Sequence, residues 1–94
     1  MKQYEIVFVL RSDLSEEARS AKAERILSLI TENGGEVERQ EEWGKRVLAY
    51  EIRHQTEGYY SLVEFRLPPS AVRTVEERLN IDEEILRYQT IART

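Results

Sequence analysis

Residues 4–10, YEIVFVL, form a short apolar run of β-branched and aromatic side chains, which predicts a strand with much of both faces covered. Alternation puts Tyr4, Ile6, Phe8 and Leu10 on one face and Glu5, Val7 and Val9 on the other. The period then changes. After the loop Arg11-Ser12-Asp13-Leu14, Ser15 is a good N-cap for a helix opening with Glu16-Glu17. Ala23, Ile26 and Ile30, flanked by Leu27 and Leu29, recur at three- and four-residue spacing, and Asn33-Gly34-Gly35 supplies the stop. From Glu36 to Arg53 the pattern reads as one long strand whose distal half, with Leu48, Tyr50 and Ile52 in alternation, protrudes. Gly44 in its middle predicts a bulge or a bend. His54 to Gly58 is expected to be the turn and Tyr59 to Leu67 the returning strand of a hairpin. Pro68-Pro69 ends that strand, Ser70 is expected to cap a second helix with a Val72, Val75 and Leu79 stripe, and Ile85 to Ile91 is the last strand.

The order strand, helix, strand, strand, helix, strand fits an α+β ferredoxin-like sandwich (βαββαβ), a four-stranded antiparallel sheet with two helices on one face. Such a sheet has a second face that nothing in the chain is expected to cover. Val7, Val9, Tyr60, Leu62, Arg87, Gln89 and Ile91 fall there, apolar residues with a basic fringe, and apolar patches on small domains mark contact sites. Polar substitutions on that face, such as Val9→Thr or Leu62→Gln, are therefore expected to cost association more than folding.

Length, charge and chemistry narrow the function. The 94 residues make a single domain, 1–94, with one small core. The longest apolar run is too short to cross a membrane, and the start runs directly into a strand pattern, so a cytoplasmic protein is expected. A net charge of −4 argues at first against nucleic acid, but the acids cluster at the first helix start and in Asp82-Glu83-Glu84. Lys2, Lys45, Arg46, Arg53, Arg66, Arg87 and Arg93 fall instead in strand segments, so a positive patch on a negative protein is feasible. No catalytic constellation is present: the single histidine, His54, is in a turn, there is no cysteine, and no residues have metal-ligand spacing. Neither an enzyme nor a cofactor is implied.

The segment Gly44-Lys45-Arg46-Val47-Leu48-Ala49-Tyr50-Glu51-Ile52-Arg53, followed by Gly58-Tyr59-Tyr60, resembles the signature of the bacterial small-subunit ribosomal protein S6 family. The similarity extends to Tyr4-Glu5, Gly34-Gly35, Trp43-Gly44, Leu79-Asn80 and Ile85-Leu86-Arg87-Tyr88. Val47 departs from it, standing where the family usually has a polar or basic residue, and the charged tail common in the family is absent up to Thr94. The resemblance implies a ribosome-associated, non-catalytic protein that binds the central domain of small-subunit ribosomal RNA with ribosomal protein S18. A basic partner would then supply much of the positive charge. On this reading Lys2, Lys45, Arg46, Arg87 and Arg93 are the expected RNA contacts, and Val7, Val9, Tyr60, Leu62 and Ile91 the expected partner contacts. Trp43 and Tyr50 are expected to pack in the core or hairpin, and Leu48 and Ile52 to be structural. The alternative from another class is a small regulatory or ligand-binding ferredoxin-like module.

Overall fold

Period-two runs become four strands and the period-3.6 runs two helices in the computed structural model, which describes residues 1–93. They are β1 (Lys2–Arg11), α1 (Glu16–Glu32), β2 (Glu36–Ile52), β3 (Gln55–Leu67), α2 (Val72–Asn80) and β4 (Ile85–Arg93). The strands form one antiparallel sheet in the order β2-β3-β1-β4. The expected ferredoxin-like architecture is thus present. Its core joins Tyr4, Ile6, Phe8 and Leu10 of β1 and Val63, Phe65 and Leu67 of β3 to Ala23, Ile26 and Ile30 of α1 and Val75 and Leu79 of α2.

Local chemistry explains most boundaries. Ser15 Oγ accepts a hydrogen bond from the Ala18 N–H at 3.1 Å, satisfying one of the free donors of the first turn of α1. At the other end the N–H groups of Gly34 and Gly35 bond back to the carbonyls of Thr31 and Ile30. Two expectations fail. Ser70 lies inside a 3-10 turn, Pro69–Ala71, that leads into α2 without any side-chain cap. The hairpin turn is not His54 to Gly58 but the two residues Arg53 and His54, because Ile52 already pairs with Gln55. Both turn residues have left-handed φ, +48° and +66°, as a tight hairpin of the type I′ class demands.

An ion-pair cluster fastens α1 to the loop before β4. The Lys22 ammonium lies 2.6 Å from Asp82 and 2.9 Å from Glu84. Burial lowers its pKa, but hydrogen bonds to the two carboxylates outweigh that, leaving it above the ordinary 10.5. Tyr88 is also raised, by burial first and the nearby Glu76 charge second. A lysine with a raised folded-state pKa stabilises the fold fully below the unfolded value and loses that contribution as pH climbs through the folded one. A tyrosine held neutral acts in the same direction. Unfolding followed against pH should therefore show stability falling above about pH 10.5. Lys22→Met should be less stable at neutral pH by about 1–2 kcal/mol and show a shallower alkaline decline, with the Tyr88 share remaining.

Candidate nucleic-acid interface

The sheet face opposite the helices is less open than the pattern implies. Along β2 the pair Val47 and Glu57 is followed by the pair Ile52 and Gln55, so residues 48–51 stand against Thr56 alone. Those surplus residues make an arm that folds over the sheet. Leu48 packs on Val9 and Leu86 in a second small core, with Ile52 and Tyr60 at its margin. The Arg53 guanidinium anchors the arm's end, donating to the carbonyls of Glu83 at 3.0 Å and Ile85 at 2.8 Å.

This arm changes what the open face presents. Beneath it Val9 is 1% exposed; Leu62, which lies outside the arm's cluster, is 9% exposed, so the expectation that both stand in water fails. Val7 and Tyr60 are half-buried, and Ile91, at 41%, is the exposed member of the expected partner patch. Tyr50, expected to pack, is 63% exposed at the outer side of the arm beside Val47, at 76%. Trp43 is half-buried and Leu48 buried, in keeping with packing. The alternation rule misses the arm because it assumes that β2 stays in the sheet plane.

The five expected cationic contacts divide into two sets. Register places Arg87 opposite Val9 and Arg46 opposite Gly58, at the same end of the open face but on its two outer strands. They are three strand spacings apart across the sheet, about 14 Å, and offset by two residues along it. Both side chains are exposed, and neither forms an ion pair among the described residues. Arg93 lies at the far end of the same face, opposite Gln3, and is paired with Glu64, which also binds Arg39. Lys2 is opposite Leu67 and Lys45 opposite Tyr59, both on the helical side by register. Lys45 and Arg19 both lie by the Tyr59 ring there, 5.7 and 3.7 Å from its centroid.

Gly44 makes the local geometry of the Arg46 region. Its φ of +82° is left-handed, and the register with β3 shifts between Glu42 and Gly44, leaving Trp43 as the extra residue of the expected bulge. The Trp43 indole N–H donates to Glu41 at 3.0 Å, and the Arg46 guanidinium sits 5.1 Å from the Trp43 ring centroid and 6.0 Å from that of Tyr60. Among the described residues no helix is long and apolar enough to cross a membrane.

A family model described as Ribosomal protein S6 matches residues 3–92. The chain belongs to the ribosomal protein S6 family. Curated relatives agree: the small ribosomal subunit protein bS6 of Moorella thermoacetica is 47% identical over 88 residues, covering 94% of this chain and 90% of the relative. That of Streptomyces coelicolor is 35% identical over 91 residues, covering 97% and 95%. The crystal structure of the 30S ribosomal protein S6 from Thermotoga maritima matches with a TM-score of 0.93 at 32% identity, covering 98% of this chain and 87% of that one. The signature segment therefore has a structural meaning in this member of the family: Gly44 sets the bulge, Arg46 follows it, Leu48 and Ile52 close the arm, and Gly58 lets the start of β3 lie tightly against β1.

Proposed function

We propose that this protein is a structural constituent of the small ribosomal subunit in the cytoplasm, binding the central domain of small-subunit ribosomal RNA cooperatively with protein S18 and catalysing nothing. Membership of the S6 family supports a ribosomal role. The observation that carries the RNA contact is the pair Arg46 and Arg87, exposed cations with no carboxylate partner among the described residues, flanking one face. Lys2 and Lys45 would meet the RNA from the helical side, and Arg93 must first give up Glu64. The protein partner meets Val7, Tyr60 and Ile91, while Val9 and Leu62 support that surface from beneath.

Phosphate contacts position a protein without reading sequence, and each releases counterions, so they are visible in salt dependence. With S18 present, Arg46→Ala and Arg87→Ala should each weaken binding to a central-domain RNA fragment by about tenfold and lower the slope of log affinity against log salt by about one unit. Arg93→Ala should have a smaller effect, because the free side chain is already engaged. Unchanged slopes for both Arg46→Ala and Arg87→Ala would assign those arginines to the protein alone.

A further inference from the structure

Arg46 has no polar anchor of its own. It is exposed, and among the described residues its guanidinium makes no ion pair and no side-chain hydrogen bond. What fixes it is two aromatic rings, Trp43 and Tyr60. Both centroid distances lie within the range where a guanidinium is attracted to the negative face of an aromatic ring. The rings are themselves held. Trp43 is half-buried, and its indole N–H is tied to Glu41, whose carboxylate is also paired with Arg39. Tyr60 packs at the margin of the Val9, Leu48 and Leu86 cluster.

We infer that Trp43 is a positioning residue, which with Tyr60 holds the Arg46 guanidinium ready over the open face before any ligand arrives. The inference rests on the reading that Arg46 meets a phosphate. An unrestrained arginine loses rotamer freedom on contact, whereas one already held over two rings loses less, and a planar guanidinium interacts with ring faces in a way a lysine ammonium does not. Neighbouring Lys45 cannot substitute, because the alternation of β2 sends it to the helical side against Tyr59. The bulge is what makes the arrangement: the extra residue brings Trp43 to the side on which Arg46 lies.

The test measures affinity and salt slope for a central-domain RNA fragment in the presence of S18, using the full chain. Trp43→Leu keeps an apolar side chain but removes the π face, and should weaken binding about three- to tenfold with the slope retained, because the charge is still there. Trp43→Phe should stay within about twofold of the parent. Arg46→Lys keeps Trp43 and the charge, and should weaken binding while keeping the slope. Melting curves of each variant show what fraction is folded, and affinities refer to that fraction. Parent-like binding by Trp43→Leu or Arg46→Lys, alongside weakened Arg46→Ala, overturns the positioning role and leaves the phosphate contact standing. Parent-like affinity and slope in Arg46→Ala overturns the phosphate contact itself.

Discussion

Gly58→Ala is expected to destabilise the fold by about 3 kcal/mol, and Gly58→Val by more. A Cβ built on Gly58 would stand 2.3 Å from Val9 Cγ1 and 3.2 Å from the Leu10 carbonyl oxygen. Neither neighbour gives way easily: Val9 is fully enclosed and stiff at χ1, and Leu10 O is backbone of a central strand. A domain of this size has on the order of 5–15 kcal/mol in total, so the loss takes a large share of it. Urea unfolding measures the effect, and Gly58→Ala combined with Val9→Ala tests the cause. If the clash is responsible, the double variant should be distinctly more stable than the sum of the single losses predicts. Gly44→Ala is the control, since nothing lies within 4 Å of its built Cβ. There the cost is that of placing an alanine at positive φ alone, about 1–2 kcal/mol.

Val9→Thr is expected to cost about 2 kcal/mol of folding stability, contrary to what the alternation of β1 implies. The substitution preserves shape and puts a hydroxyl among Leu48 and Leu86, where burial without a hydrogen-bond partner costs about 1–3 kcal/mol in proteins. Thermal or urea unfolding of the isolated protein is sufficient to see it. A midpoint equal to the parent's would mean that the arm is not seated over Val9 in solution. Ile91→Thr is the informative comparison: Ile91 is exposed at 41%, and its replacement should change the unfolding free energy by no more than about 0.5 kcal/mol.

These two cases show where sequence reasoning succeeds and where it stops. The six elements, the Ser15 cap and the bulge at Gly44 are local consequences of periodicity, side-chain hydrogen bonding and glycine stereochemistry, and a sequence displays all three. The turn at Arg53-His54 is illegible because left-handed φ is normally announced by asparagine or glycine. Here the conformation is imposed by its surroundings, with Arg53 bonded to carbonyls thirty and more residues away. Burial of Val9 is illegible for the same reason, since Leu48 lies on another strand and reaches it only through the surplus residues of the arm. As for the candidate site, Arg46 and Arg87 were visible as strand cations, whereas the engagement of Arg93 with Glu64 and the helical-side placement of Lys2 and Lys45 depend on cross-strand register. The proximity of Trp43 to Arg46 has one sequence signal, the place of Trp43 next to the bulge glycine, because a bulge shifts the alternation of the residues that follow it.

The uneven register of β2 also bears on how readily a second extended chain could pair along the sheet's rim. A strand of 17 residues at the rim of a sheet offers a long row of unpaired backbone groups to any passing extended chain. From Glu36 to Arg46 the exposed positions are charged except for Gln40 and Gly44, and two register shifts break the straight run. A second chain adding there would have to follow those breaks while aligning its own charges. The apolar tip begins only at Val47, where the strand starts to leave the sheet plane to form the arm, so its exposed side chains do not sit on a flat rim. The exposed apolar side chains of the tip are thereby kept off the rim where backbone pairing, the route by which exposed strands aggregate, would begin.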